Sequence, residues 1–172
     1  MNKLLLLVAL SVAGAASSAP MVGLLSFPGT STLNGELTFF DSASPFVAVP
    51  PAQNTVLSGL TNGETLIGID TRPLTGQLYG ITNFGRVAKI NLTTGFVAVI
   101  SATQTTITGT AFGMDFNPVT DTLHLISDDN INLSFSPDTG NLVSTDTALS
   151  PSGSKVGAAY DSNSPSANVR LC

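Results

Sequence analysis

The stretch LIGIDTRPLTGQLYGI at residues 66–81 returns in altered form as AFGMDFNPVTDTLHLI at residues 111–126. Five positions keep their residue type at a constant offset of 45: Gly68 and Gly113, Asp70 and Asp115, Pro73 and Pro118, Thr75 and Thr120, Leu78 and Leu123. The match extends to NLTTG at 91–95 and SPDTG at 136–140. A fixed period of this size indicates copies of one small structural unit that pack against each other.

Each copy reads as four short strands joined by tight turns. In the first copy the strands are ETLIGID, QLYGIT, RVAKIN and FVAVIS, and the turns are RPLTG, NFG and LTTG. Pro73 presets φ for its turn, and Gly76 tolerates a positive φ. Frequent Gly, Pro, Thr and Val disfavour an uninterrupted helix. The pattern therefore predicts an all-β fold built from four-stranded antiparallel meanders of about 45 residues.

Both faces of these sheets are predicted to be apolar. In FVAVIS, the side chains of Phe96, Ala98 and Ile100 share one face, while Val97 and Val99 share the other. A sheet with one face in water would alternate with polar residues instead. Such a sheet needs neighbours on both sides, which the blades of a partial β-propeller provide. A β-sandwich is the alternative, but it gives no reason for a constant 45-residue offset.

The rest of the chain is predicted to contain less regular copies. A divergent copy precedes the two clear ones, and Asn34-Gly35 is a favoured residue pair for a two-residue hairpin turn within it. VGAAYDSN at 156–163 resembles the start of a fourth copy. A closed propeller needs about four to eight blades. We therefore expect residues 20–172 to form a propeller-like domain that is incomplete at its C-terminus, through truncation or because partner chains complete it.

The first twenty residues have the features of a secretory leader. MNKLLLLVALSVAGAASSAP combines Lys3, an apolar run over residues 4–13 and small residues before the cut site. The sequence predicts a signal peptide over residues 1–19, cleaved after a residue between Ala15 and Ala19. The apolar run is shorter than a membrane span of about 20 residues, and nothing later approaches one. The mature protein is expected to be secreted or periplasmic, without a membrane span.

Composition excludes several classes of function. The formal net charge is −5, and the six Lys and Arg residues are scattered, which disfavours nucleic acid as a partner. The single cysteine, Cys172, cannot form an intramolecular disulfide or a zinc site.

Four motifs identify a family resemblance. GETLIGIDTRPLTGQLYGI, GRVAKINLTTG, GTAFGMDFNP and NLSFSPDTG occur in this order. Together they resemble a family of secreted, mostly bacterial proteins catalogued as domain of unknown function 4394, over residues 33–163. The resemblance implies propeller-like repeats. It implies no activity and supplies no catalytic residues or cofactor.

Four carboxylates are candidate ligands of a metal ion. Asp70 and Asp115 precede equivalent turns, so they could belong to a ring of carboxylates that holds Ca²⁺ at a channel. Turn preferences favour the other interpretation, in which each accepts hydrogen bonds from turn amides. Asp128 and Asp129 lie in SDDNIN, an oxygen-rich segment without the spacing of an EF-hand loop. A solvated turn is the favoured interpretation there.

Other residues with chemical potential have ordinary structural explanations. His124, the single histidine, lies in a predicted strand without the elbow motif of a serine hydrolase. Arg72 could bind an anion or pair with a nearby carboxylate. Tyr79, Phe84 and Phe96 are predicted core residues.

These observations leave three hypotheses about function. The favoured one is an exported, non-catalytic module that binds an unidentified ligand or a component of the cell envelope. The second is a hydrolase or lyase of the propeller type, with a metal or carboxylates at the channel end. The third is a truncated gene product. Open blade edges would also permit self-association.

Overall fold

The structure, a computed structural model, describes residues 4–7, 19–26, 35–48, 54–147, 157–164 and 170–171. Within these ranges all regular elements are strands, so the predicted all-β fold is confirmed. This part of the chain accordingly contains no helix long and apolar enough to cross a membrane.

Thirteen strands in the described ranges form three antiparallel sheets. The first sheet contains β1 (Leu4–Leu7), β2 (Pro20–Ser26), β3 (Glu36–Asp41), β4 (Ser44–Ala48) and β5 (Thr55–Val56). Repeat A contains β6 (Leu66–Thr71), β7 (Leu78–Thr82), β8 (Val87–Ile90) and β9 (Val97–Val99). Repeat B contains β10 (Phe112–Asn117), β11 (Thr122–Ser127), β12 (Asn132–Phe135) and β13 (Leu142–Thr145). In both repeats neighbouring strands are consecutive in sequence, which confirms the predicted meanders.

The turns of the two repeats share one backbone conformation. In repeat A, the residues with positive φ are Gly76, Gly85 and Gly95, with values of 71°, 66° and 70°. One period later in sequence, repeat B has positive φ at Asp121, Asn130 and Gly140, with values of 54°, 62° and 71°. Asn and Asp are the non-glycine residues that best tolerate this conformation. The repeated sequence therefore corresponds to a repeated backbone shape.

Two apolar clusters hold the three sheets together. The first joins residues of the first sheet and its following linker to repeat A: Leu24, Leu37, Leu57, Leu66, Ile69, Leu78, Ala88, Ile90 and Val97. The second joins repeat A to repeat B: Tyr79, Ile81, Val87, Met114, Phe116, Leu123, Leu125, Leu133 and Phe135. Repeat A is therefore apolar on both faces, as predicted. Burying each of these large side chains contributes about 1.5–3 kcal/mol.

The first strands of successive repeats approach closely. A Cβ atom placed on Gly68 of β6 would lie 3.1 Å from the Cβ of Met114 on β10. A Cβ atom on Gly113 would lie 2.3 Å from the backbone nitrogen of Ala158. Tyr160 forms an isolated antiparallel bridge with Leu171, and residues 157–161 lie against β10. We call this row of β6, β10 and residues 157–161 the joint.

The predicted hairpin at Asn34-Gly35 falls partly outside the described residues, because Asn34 is not among them. One sequence-based expectation about the core is wrong. Phe96 is 52% exposed and does not belong to the core. The predicted cleavage region, apart from Ala19, also lies outside the described residues.

Candidate functional site

Asp70 and Asp115 occupy the same place on the first strand of their repeats. Asp70 lies on β6 and Asp115 on β10, and both face the following repeat. The Oδ2 atom of Asp70 accepts a hydrogen bond of 3.0 Å from the backbone N–H of Phe116. The Oδ2 atom of Asp115 likewise accepts one from the backbone N–H of Tyr160. Each carboxyl group thus ties its repeat to the next one. The donors are strand amides one repeat ahead, not the turn amides expected from the sequence.

The two carboxyl groups also contact each other at the joint. Burial of Asp70 and its hydrogen bond with Asp115 raise the pKa of Asp70 to about 8. Two carboxyl groups that share a hydrogen bond cannot both ionise without strong repulsion. At neutral pH the pair therefore holds a proton. A proton-bearing pair inside the joint can support acid–base chemistry, but a backbone amide already donates to one oxygen of each carboxyl group.

Asp128 ties the start of β10 to the turn between β11 and β12. Its carboxylate accepts hydrogen bonds from the backbone N–H of Thr110 at 2.8 Å and of Ala111 at 3.1 Å. The Thr110 hydroxyl donates a third at 2.7 Å, and these bonds lower the pKa of Asp128. Repeat A places Asn83 at the equivalent position, where its Oδ1 accepts from the backbone N–H of Thr65 at 2.9 Å. An uncharged amide therefore makes the equivalent contact.

The four metal-ligand candidates lie at two separate places. Asp70 and Asp115 meet in the joint, while Asp128 and the exposed Asp129 lie on the β11–β12 turn. In the ranges that the structure describes, no group of three or more His, Cys, Asp and Glu side chains is arranged to hold a metal ion.

His124 lies in a polar network that the sequence did not reveal. Its Nδ1 is 2.7 Å from the hydroxyl of Tyr160, and its Nε2 contacts the side-chain oxygen of Asn132. The same Nε2 is 3.3 Å from Asp146, whose Oδ2 accepts a 2.8 Å hydrogen bond from the Ser134 hydroxyl. Because Ser134 donates to the carboxylate rather than to the imidazole, this is not the order of a Ser-His-Asp triad. The network anchors Tyr160 instead.

Arg72 links repeat A to two turns of repeat B. Its Nε donates to Asp121 Oδ1 at 2.9 Å, and its Nη1 donates to Asp138 Oδ1 at 2.8 Å. These bonds, that with Asp121 foremost, raise the pKa of the buried guanidinium further above its usual range. The carboxylate-pairing alternative for Arg72 is therefore the correct one. The guanidinium already has two anionic partners.

A cleft lies beside this ion-pair network. It has a volume of about 410 Å³ and is lined by Pro73, Leu74, Pro118, Val119, Asp121 and Asn163. Pro73, Pro118 and Asn163 are spaced by one period each, so equivalent turns of three successive repeats meet here. Leu74 is 73% exposed and Val119 is 46% exposed. Exposed aliphatic side chains that line a cleft are typical of a binding surface.

A family model described as a domain of unknown function, DUF4394, matches residues 36–168. The chain belongs to the DUF4394 family. The resemblance seen in the four sequence motifs is thereby confirmed. A search of curated proteins found none that matches this DUF4394 chain.

The DUF4394 region coincides with the repeated part of the structure. It begins at Glu36, the first residue of β3, and includes repeat A, repeat B and residues 157–161 of the joint. The cleft between the turns therefore lies within the DUF4394 region.

Sequence analysis missed the contacts that connect distant residues in this DUF4394 protein. The polar residues Asn117, His124, Asn132 and Ser134 replace Arg72, Tyr79, Val87 and Lys89 at the 45-residue offset. This replacement of larger or apolar residues by small polar ones was the available signal. It marks the face of repeat B that receives Tyr160.

Proposed function

We propose that this DUF4394 protein is an exported, propeller-like repeat module that binds a ligand or envelope component at the cleft, without catalysis. The observation that carries the proposal is the cleft itself, where equivalent turns of three repeats present exposed aliphatic side chains. Loops held by a rigid scaffold are the usual place for binding. The polar groups of the joint are engaged in holding the repeats together, whereas the cleft is open to a partner.

The propeller-like arrangement is supported by the row of first strands. β6 and β10 lie side by side, and residues 157–161 continue the row in the same direction along the chain. Propeller blades place their first strands around a central axis in this way. Export is supported by the leader-like residues 1–19, which combine a positive start, an apolar run and small residues.

Binding is tested by co-sedimentation of the full chain with washed envelope fragments from a Gram-negative host. Leu74→Ser combined with Val119→Ser should abolish most of the sedimentation. The matched control is Leu142→Ser with Val143→Ser, which removes two exposed aliphatic side chains of β13, away from the cleft. Equal sedimentation of both double variants would refute binding at the cleft.

Export is tested by expressing the full-length chain in the same host and sequencing its N-terminus. We expect a periplasmic protein that starts between residues 16 and 20. Leu6→Arg should keep the chain uncut in the cytoplasm, because a charge interrupts the apolar run. Recovery of an uncut wild-type chain from the cytoplasm would contradict export.

A second candidate function is a hydrolase or lyase that uses carboxylates, with or without Ca²⁺. The observation in its favour is the pair of Asp70 and Asp115, because burial and the neighbouring carboxyl raise the pKa of Asp70 into the range useful for acid–base catalysis. An increase of the melting temperature with added CaCl₂, lost in Asp115→Asn, would support this candidate over the first. A melting temperature that does not change with CaCl₂ would refute the metal-dependent form of this candidate function.

A third candidate behaviour is association between copies of the chain through the edges of their sheets. Native mass spectrometry decides this point directly. The mass of one chain together with a cooperative melt would show that the repeats are stable without partners. A defined multimer would show that copies associate through their edges.

A further inference from the structure

The ion-pair group that reaches the cleft through Asp121 carries unbalanced charge. Asp121 lines the cleft, and Arg72 joins Asp121 to Asp138. The guanidinium is buried, whereas the side chain of Asp138 is 71% exposed. Two carboxylates and one guanidinium leave the group with one net negative charge, and the exposed part of that group is carboxylate.

The lining of the cleft is mainly aliphatic. Leu74 and Val119 are exposed on the turns of repeat A and repeat B, next to Pro73 and Pro118. Asn163 adds an amide from the following repeat. An aliphatic lining beside an exposed carboxylate matches a ligand that carries an apolar group next to a cation.

Other ligand classes fit these contacts less well. An anion would meet Asp121 and Asp138 before it could reach the guanidinium of Arg72, whose donors already face these two carboxylates. Nucleic acid is disfavoured for the same reason, since its phosphates need accessible cations. A volume of about 410 Å³ accommodates a few residues of an extended chain rather than a folded domain.

We propose that the cleft binds a short extended peptide segment in which a Lys or Arg follows an aliphatic residue. The aliphatic side chain would pack between Leu74 and Val119, and the cation would lie against Asp121 and Asp138. This inference rests on the proposed function, because it names the ligand class of the same cleft.

The test measures fluorescence anisotropy of three labelled peptides of equal length with the full-length chain. One peptide alternates leucine and lysine, one leucine and glutamate, and one serine and lysine. We expect the leucine–lysine peptide to bind about tenfold more tightly than either of the others, since both apolar contact and charge are needed. Its affinity should fall with added NaCl.

Two variants separate the contributions to binding. Leu74→Ser with Val119→Ser should remove binding of the leucine–lysine peptide, while Leu142→Ser with Val143→Ser should leave it unchanged. Asp138→Asn should weaken it severalfold and reduce its salt dependence, because one exposed negative charge is removed. Circular dichroism melts confirm that each variant is folded.

Several results would overturn the inference. Equal binding of the leucine–glutamate peptide would refute the role of charge, and equal binding of the serine–lysine peptide would refute the apolar contact. Tighter binding of a long-chain alkylamine than of the leucine–lysine peptide would identify a small amphiphile instead. Absence of peptide binding, with co-sedimentation on envelope fragments intact, would refute the ligand class while the proposed function stands.

Discussion

Repeat A and repeat B have the same strand order and the same turn conformations, but they differ in the face that each turns toward the next repeat. Repeat A presents Tyr79, Ile81 and Val87, which pack against the apolar side of repeat B. At the equivalent positions repeat B has His124, Ile126 and Asn132, and two of these three are polar.

The difference follows from what covers each face. The face of repeat A meets the apolar side chains of β10, β11 and β12, which include Phe116 and Phe135. The face of repeat B meets Tyr160, whose hydroxyl contacts His124 at 2.7 Å and Asn117 at 3.2 Å. A partly buried hydroxyl is stabilised by hydrogen-bonding partners. Turn residues and first strands therefore set the shape of a repeat, whereas its neighbour sets the chemistry of its face.

The largest effect is expected at the apolar contact between repeat A and repeat B. Phe116 is fully buried and packs edge-on against Tyr79, with ring centres 5.3 Å apart. Phe116→Ala should lower the free energy of unfolding by about 3–5 kcal/mol, because it leaves a cavity. Tyr160→Ala, at the joint beyond repeat B, should cost about 1–2 kcal/mol. Urea denaturation of both variants measures the two losses in the free energy of unfolding. Equal losses would contradict the expected difference between the two contacts.

The next effect concerns the ion pairs that repeat A makes with repeat B. Arg72→Asn, which installs the residue found at the equivalent position of repeat B, leaves Asp121 and Asp138 without their cation. We expect a loss of about 2–4 kcal/mol, because breaking a partly buried ion pair leaves uncompensated charge. A loss below about 0.5 kcal/mol, the usual limit for surface positions, would show that the network is only a surface contact.

The pair of carboxyl groups should make stability depend on pH. Burial and the neighbouring Asp115 raise the pKa of Asp70 to about 8 in the folded protein, against a reference value of 3.8. The folded state then binds a proton that the unfolded state has lost, so this contribution is fully present below pH 3.8 and disappears as the pH rises toward 8. We expect the free energy of unfolding to fall by several kcal/mol across this window, since a tenfold difference in proton affinity between the two states corresponds to about 1.4 kcal/mol.

Asp70→Asn should flatten this part of the pH profile, since the variant has no proton to lose. Glu64 acts in a separate window: burial opposes its ionisation, but hydrogen bonds from Arg86, Thr82 and Thr61 outweigh burial and lower its pKa to about 2. Its contribution is present above pH 4.5 and is lost as the pH falls toward 2. Thermal melts from about pH 3 to about pH 9 measure both slopes. An Asp70→Asn variant that keeps the wild-type slope above about pH 5 would contradict the account.

The smallest effect is expected at Asp128. Asn83 makes the equivalent hydrogen bond in repeat A as an uncharged amide, so Asp128→Asn should leave the melting temperature nearly unchanged. Asp128→Ala should lower the melting temperature more, because the backbone N–H of Thr110 loses its acceptor. Melting temperatures measure both effects. A large decrease in Asp128→Asn, together with a melting temperature that CaCl₂ raises in the wild type but not in the variant, would indicate a metal site.

The fold was predictable from sequence where local chemistry repeats. Pro73, Gly76 and Gly95 mark turns, and the 45-residue offset carries these marks into repeat B. The pairing of Glu36 with Leu25 and Val56 was not predictable, because these partners are distant in sequence and turn preferences do not contain that information. The exposed Phe96 shows the same limit, since strand periodicity assigns a face but does not say what covers it.

The site was predictable only in part. Asp70 and Asp115 could be selected because they recur, and Arg72 because it has no counterpart in repeat B. The partners of Asp70 and Arg72 could not be predicted. Phe116 contacts Asp70, and Asp121 and Asp138 contact Arg72, only because one repeat packs on the other. The cleft depends on the same packing.

A designed disulfide gives the most direct test that β6 of repeat A lies against β10 of repeat B. In a Cys172→Ser background, Gly68→Cys and Met114→Cys place two thiols on Cβ atoms 3.1 Å apart, a few tenths of an ångström closer than the range of about 3.5–4.5 Å found in disulfides. We expect mild oxidant to form this bond in the folded protein. The control pair is Gly63→Cys with Met114→Cys, since no atom lies within 4 Å of a Cβ at Gly63. Two free, reactive thiols in the first pair would contradict the stacking of the repeats.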